Sequence, residues 1–160
     1  MRILFVCTGN ICRSPSAEGV LRARLAAAGM ADAVAVESCG THGYHTGMPP
    51  DPRAIGTAAA RGVDISGLRA RPWARADATA FDLVIGMEGH HVRWLERRVP
   101  ASRRDRVARL LDWAPWQPVR DVPDPYGGAL ADFARMLDLI ELGVNGLMAE
   151  LSQPAGRLSQ

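Results

Sequence analysis

The chain has 160 residues, 48% of them hydrophobic and 22% charged, with a formal net charge of +2; this suits one compact domain with a real core and gives no basis for expecting a nucleic-acid partner. All 19 basic residues are arginine, which excludes a Walker-type nucleotide loop, since that loop needs lysine. Three cysteines, at 7, 12 and 39, make no secreted disulfide framework, and the sequence shows neither a signal-peptide pattern nor a run of membrane-spanning length, so a reducing, cytoplasmic setting away from any membrane is expected.

In chain order, Ile3-Leu4-Phe5-Val6 reads as a buried strand, and Pro15 sits in the first turn of a helix expected to reach about Ala28. Ala33 to Ser38, with Val34 and Val36, reads as a second strand. The loop from Gly40 to Pro50 carries His42, Tyr44 and His45. Asp51 then caps a helix that starts at Pro52 and ends near Gly62. Phe81 to Met87 is the third strand, Glu88 to Arg98 a helix, and Val107 to Leu111 a short strand. Leu130 to about Leu151 carries an apolar stripe through Phe133, Met136, Leu137, Ile140, Val144, Leu147 and Leu151 at helical spacing, which predicts a core-facing helix. Strands alternating with helices predict an α/β fold, a single domain whose parallel sheet is covered on both faces by right-handed crossovers. Ligands of such folds bind beyond the carboxyl ends of the strands. There is no linker, repeat or low-complexity stretch, and Ser152 to Gln160 reads as a loose tail.

Residues 7 to 14, Cys-Thr-Gly-Asn-Ile-Cys-Arg-Ser, join the first strand to the first helix. A helix N-terminus offers unpaired N–H groups and partial positive charge, so a loop there is suited to an anion. The spacing from Cys7 to Arg13 lets the backbone curl around one tetrahedral oxyanion while a guanidinium fork closes the ring. Gly9 is expected to permit the turn, and Asn10 is a residue that tolerates a left-handed conformation. A thiol in such a setting can fall from about 8.5 to roughly 3.5–7.5, which makes Cys7 the candidate nucleophile. Ser14 is placed to offer its sulfur a hydroxyl hydrogen bond. Asp124, between Pro123 and Pro125, is the candidate acid; a proton on the leaving oxygen of an aryl phosphate is worth typically 10²- to 10⁴-fold, and a nearby dianion raises a carboxyl pKa.

Val6-Cys7-Thr8-Gly9-Asn10-Ile11-Cys12-Arg13-Ser14-Pro15, continued by Ala17-Glu18, together with Val122-Pro123-Asp124-Pro125-Tyr126-Gly127, resembles the two signature motifs of the low-molecular-weight protein tyrosine phosphatases of bacterial type. The likeness runs from Met1 to about Leu151. It implies a four-stranded, flavodoxin-like sheet and hydrolysis of phosphotyrosine through a cysteinyl phosphate, with Cys7 as nucleophile, Arg13 as phosphate clamp, Asp124 as general acid and base, and no metal or cofactor. It implies a phosphate loop of Thr8, Gly9, Asn10, Ile11, Cys12, Arg13 and Ser14, braced by Asn10 and Ser38. Ile11, Tyr44 and Tyr126 become pocket walls, and a threonine at the Ile11 position would instead suggest a protein-arginine phosphatase. Two departures are visible: Leu68 stands where many relatives have histidine, and Gly127 where many have a second tyrosine. Partners implied are phosphotyrosine proteins, among them bacterial tyrosine kinases, with inorganic phosphate as product. Cys12, close to Cys7 in such a loop, is a candidate redox guard through a reversible disulfide.

A thiol-dependent arsenate reductase could share the anion loop but needs further relay cysteines, and only Cys39 is left outside it. A catalytically idle phosphate-reading module is the other rival. Arginines 93, 97, 98, 103, 104, 106 and 109 form a basic stretch read chiefly as a solvated face. His90 and His91, adjacent on a helix, are expected to diverge by about 100° and so not to act as a paired metal-ligand set.

Overall fold

The computed structural model describes residues 1–154. Its elements are β1 (Arg2–Cys7), α1 (Arg13–Ala27), β2 (Ala35–Gly40), α2 (Pro52–Ala59), α3 (Asp77–Ala80), β3 (Leu83–Gly86), α4 (Gly89–Glu96), β4 (Val107–Arg109) and α5 (Leu130–Leu151). The four strands form one sheet in the order β2-β1-β3-β4, and every pairing is parallel. The sheet is the one expected. Part of the anticipated tail, 155–160, lies outside the described residues.

Alternation along β1 explains why both sheet faces are covered. Ile3, Phe5 and Cys7 point into a core that also holds Val20, Leu21 and Leu25 of α1 and Phe133, Met136, Ile140 and Val144 of α5. Leu4 and Val6 point the other way, into a second cluster with Val84, Phe81 and Leu95 of α4. A strand buried on both faces reads as an unbroken apolar run. Each of the buried aliphatic, aromatic and methionine side chains among these contributes roughly 1.5–3 kcal/mol relative to exposure.

Several boundaries differ from the sequence expectation. Helix α1 begins at Arg13, two residues before Pro15; a proline fits because first-turn N–H groups need no intrahelical partner. Helix α3 was not anticipated, and at four residues it is too short to show a period. Strand β4 stops at Arg109, and Leu110–Asp112 turns into a 3-10 segment that buries both leucines.

The basic stretch is largely tied down. Arg103, Arg104 and Arg106 donate to the carbonyls of Phe81, Glu96 and Asp82, and Arg98 lies 3.4 Å over the Trp94 ring. Among the described residues, no helix is long and apolar enough to cross a membrane.

Candidate active site

The end of β1 and the start of α1 are separated by a loop that wraps around an opening in the protein. Asn10 has φ 58°, the left-handed turn residue, whereas Gly9 is outside the positive-φ set. The expectation for Gly9 is therefore corrected: its lack of a side chain serves close approach, since a Cβ there would lie 3.0 Å from the His45 ring.

Helix α1 has no side-chain cap. Among the described residues, the backbone N–H groups from Thr8 to Ser14 find no protein acceptor. They and the α1 N-terminus make a cradle of donors with partial positive charge. Arg13 closes the cradle although only 3% of it is exposed. Its Nη1 donates to the Val122 carbonyl at 3.1 Å and pairs with Glu88 at 2.8 Å. Its Nη2 lies 3.6 Å from Asp124 Oδ2. Nη1 is thus occupied, which leaves the edge formed by Nε and Nη2 for an oxyanion. A buried cation needs such a partner, and Glu88 supplies it.

The nucleophile candidate is held from beneath. Asn10 Nδ2 donates to Ser14 Oγ at 2.8 Å and to Ser38 Oγ at 3.0 Å, while Asn10 Oδ1 accepts the Arg71 N–H. Ser38 in turn donates to Glu18 at 2.5 Å. Burial raises the Glu18 carboxyl above its ordinary value, against the pull of Ser38 and Arg22. Because Asn10 fills an acceptor site on Ser14, the single Ser14 proton has two destinations: Cys7 Sγ at 2.9 Å or the Cys39 carbonyl at 3.4 Å. The contact to sulfur is the tighter one. The Asn10 side chain thus ties the loop to Ser38 of β2 and to the Arg71 backbone.

A cavity of about 210 Å³ opens over Cys7 and Arg13; Ile11, Tyr44 and Tyr126 line it together with Cys12 and Asp124. The two tyrosines stand at the mouth, both exposed, and Tyr44 stacks on His42 at 4.9 Å. A Cβ at Gly127, the residue after Tyr126, would meet open space. Asp124 is half exposed at the rim and accepts the Tyr126 N–H. Its loop is anchored by Val122 N–H to the Met87 carbonyl and by Asp121, which accepts from Gly89 N and Arg109.

Burial pushes the Cys12 thiol up to about 12, with Asp51 adding to the effect. Burial raises Cys39 still further. All three cysteines are free.

Sequence reasoning missed four contributors. Glu88 and His91 follow β3 directly, at the carboxyl end of the sheet where ligands of this architecture bind, and that position was the available signal. His45 lines the cavity beside Tyr126. Arg53 pairs with Asp51, whose backbone N–H bonds the Ile11 carbonyl, and also donates to the carbonyls of Tyr126 and Gly128, joining the Cys7–Ser14 loop to the Asp124 loop. Nothing in the spacing of these residues shows such a bridge.

The expectation that His90 and His91 diverge is also corrected. Their rings lie 4.0 Å apart, and the ligand atoms of Glu88, His90 and His91 fall within 4.8 Å of one another. Side-chain torsions and the contact of His90 with Glu88 override the backbone angle. Both His91 nitrogens are nonetheless engaged, with Glu88 N–H and with Thr8 Oγ1, and Glu88 is engaged by Arg13.

Comparison with known proteins gives the family and the fold. The chain matches the family described as low molecular weight phosphotyrosine protein phosphatase over residues 2–156. It is 39% identical to a low molecular weight protein-tyrosine-phosphatase of Streptomyces coelicolor, with 95% of this chain and 94% of that one covered. A protein tyrosine phosphatase of Entamoeba histolytica, solved with Hepes in its active site, superposes with a TM-score of 0.91 at 31% identity, covering 94% of this chain and 96% of that one. The arginine phosphatase YwlE, solved as a mutant with a phosphorylated active-site serine, gives a TM-score of 0.85 at 26% identity over 97% and 98% of the two chains. With the motif residues gathered around one cavity and the match spanning nearly the whole sequence, the chain belongs to the low molecular weight protein tyrosine phosphatase family.

Proposed function

We propose that the protein hydrolyses phosphotyrosine and related aryl phosphate monoesters through a covalent phosphocysteine on Cys7. The observation that carries the reading is the grouping, around one cavity, of a sulfur 2.9 Å from the Ser14 hydroxyl, a buried guanidinium and a rim carboxylate. With Ser14 as donor the sulfur acts as acceptor, the role of a thiolate. The thiolate attacks phosphorus in line, and the loop N–H groups with the Nε/Nη2 edge of Arg13 stabilise charge on the equatorial oxygens. The incoming phosphoryl group displaces Asp124 from Nη2, and Asp124 gives its proton to the departing phenolate. In the second step ionised Asp124 takes a proton from water, the water oxygen bonds to phosphorus, the P–S bond breaks, and inorganic phosphate leaves. No step calls on a metal or cofactor.

Cys12 and Cys39, held protonated by burial, do not compete as nucleophiles at neutral pH. Cys12 lines the same cavity as Cys7 and is assigned the redox guard: peroxide transfers an oxygen to the Cys7 thiolate with loss of hydroxide, and the Cys12 thiol then condenses with the sulfenic acid, the S–S bond forming as water leaves. A reducing, cytoplasmic setting fits this chemistry, and autophosphorylated bacterial tyrosine kinases are fitting protein substrates.

The fold is shared by tyrosine and arginine phosphatases, so side chains decide the substrate. Ile11 offers a flat apolar contact, and Tyr44 and Tyr126 flank the mouth, a wall suited to an aromatic ring. Assay of matched phosphotyrosine, phosphoserine and phosphoarginine peptides tests the reading. Phosphotyrosine is expected to show by far the highest kcat/KM; faster turnover of phosphoarginine would overturn the assignment.

A further inference from the structure

The mechanism above leaves one polar pair beside the cavity without a task. His91 has no exposed surface, yet both its ring nitrogens are hydrogen bonded. Nδ1 accepts the Glu88 backbone N–H at 3.1 Å, so it carries no proton, and the proton of the neutral ring sits on Nε2. Nε2 lies 2.9 Å from Thr8 Oγ1. The tautomer therefore fixes the direction of that bond: His91 donates and Thr8 accepts. Burial, and after it the charge of Arg13, pushes the imidazole down to about 3, which keeps the ring in this form. The close approach depends on Gly86, where a Cβ would lie 2.9 Å from that of His91.

The Thr8 hydroxyl proton is left over. Among the described residues it has no acceptor, since the bond to His91 is the one Thr8 Oγ1 makes. Thr8 also lines the cavity over Cys7 and Arg13. A hydroxyl whose lone pair is already engaged, next to a cradle of amides and a guanidinium, is a donor awaiting a negatively charged oxygen.

We propose that the Thr8 hydroxyl is a side-chain hydrogen-bond donor to the bound phosphoryl group, and that His91 is the positioning residue that orients it. The phosphoryl identity of the ligand rests on the function proposed above. The neighbouring amides donate through the backbone and are insensitive to substitution. Thr8 adds a donor that depends on one side chain and on the tautomer of another.

Calorimetric titration with inorganic phosphate tests this on the full chain, for wild type, Thr8→Val, Thr8→Ser, His91→Leu and the Thr8→Val/His91→Leu double variant. Thr8→Val has the same shape without the hydroxyl and is expected to bind phosphate about ten-fold or more weakly. Thr8→Ser should stay within about two-fold of wild type, because the donor is retained. His91→Leu should lose part of the affinity, and combining it with Thr8→Val should cost nothing further, since both act on one bond. A purely structural role would shift the urea midpoint and leave phosphate affinity unchanged. Unaltered phosphate binding by Thr8→Val, equal losses for valine and serine, or losses that multiply in the double variant would each overturn the proposal. If His91→Leu does not fold, the valine and serine pair decides alone. Binding is read here without turnover, so protein that binds phosphate through Thr8 but cleaves no aryl ester refutes the enzymatic reading and not this one; wild-type protein that binds no phosphate refutes both.

Discussion

Asn10 ties the Cys7–Ser14 loop to Ser38 and to the backbone at Arg71. It is 3% exposed, has φ 58°, and makes hydrogen bonds to Ser14, Ser38 and the Arg71 N–H at 2.8, 3.0 and 3.0 Å. Asn10→Ala removes all three bonds, each worth about 0.5–1.5 kcal/mol net, and leaves the Arg71 N–H without an acceptor. It also puts a residue without local side-chain hydrogen bonds into the left-handed region, at about 1–2 kcal/mol. The expected loss of unfolding free energy is about 3–5 kcal/mol, a large share of the roughly 5–15 kcal/mol that a domain possesses. Asn10→Gly loses the same bonds but adopts positive φ freely, so it should be about 1 kcal/mol more stable than Asn10→Ala. Urea unfolding followed by circular dichroism measures both. An alanine variant within about 1 kcal/mol of wild type, or a glycine variant less stable than the alanine one, would refute the argument.

Asp124→Ala should slow turnover far more for phosphate esters with poor leaving groups than for those with good ones; equal losses across a series of substituted phenyl phosphates would remove Asp124 from the acid role. Mass spectrometry of peroxide-treated protein should find Cys7 joined to Cys12, with activity restored by thiol, whereas irreversibly oxidised Cys7 beside an unmodified Cys12 would dismiss the guard. Asp51 has its carboxyl held below the ordinary range by its hydrogen bond from the Arg53 side chain. A depressed carboxyl adds stability above its unfolded value of about 3.9, and that stability is lost as pH falls through the lower folded value. Asp51→Asn keeps a cap for α2, so wild type should be the more stable of the two at neutral pH and lose that advantage progressively below about pH 4, as read by thermal melts; a gap that does not vary with pH would contradict the ion-pair account.

The sheet was legible because a strand buried on both faces has to be apolar throughout, as Ile3 to Val6 is, and because α5 repeats its stripe over several turns. The short pieces were not: Asp77–Ala80 and the 3-10 turn at Leu110–Asp112 span about one turn each, too little for a pattern to repeat. At the site, Cys7, Arg13, Asn10 and Ser14 were legible as a contiguous loop, and Asp124 through its place between two prolines. Glu88, His91 and Arg53 escaped because their partners lie 75, 83 and 73 positions away, at Arg13, Thr8 and Tyr126, and only the parallel crossovers bring them together. Gly9 has no positive φ, and the close approach of the His45 ring to it is a contact between two loops that no local pattern encodes.

The central claim is that the phosphoryl group passes through the Cys7 sulfur. Rapid quenching of wild-type protein during turnover of an aryl phosphate, followed by peptide mass spectrometry, should show the phosphoryl group on the Cys7 peptide within the first turnover, at an amount that decays as substrate is exhausted, and Cys7→Ala should abolish both the adduct and the activity. Sustained turnover with no phosphorylated Cys7, or activity that survives loss of the sulfur, would contradict the account.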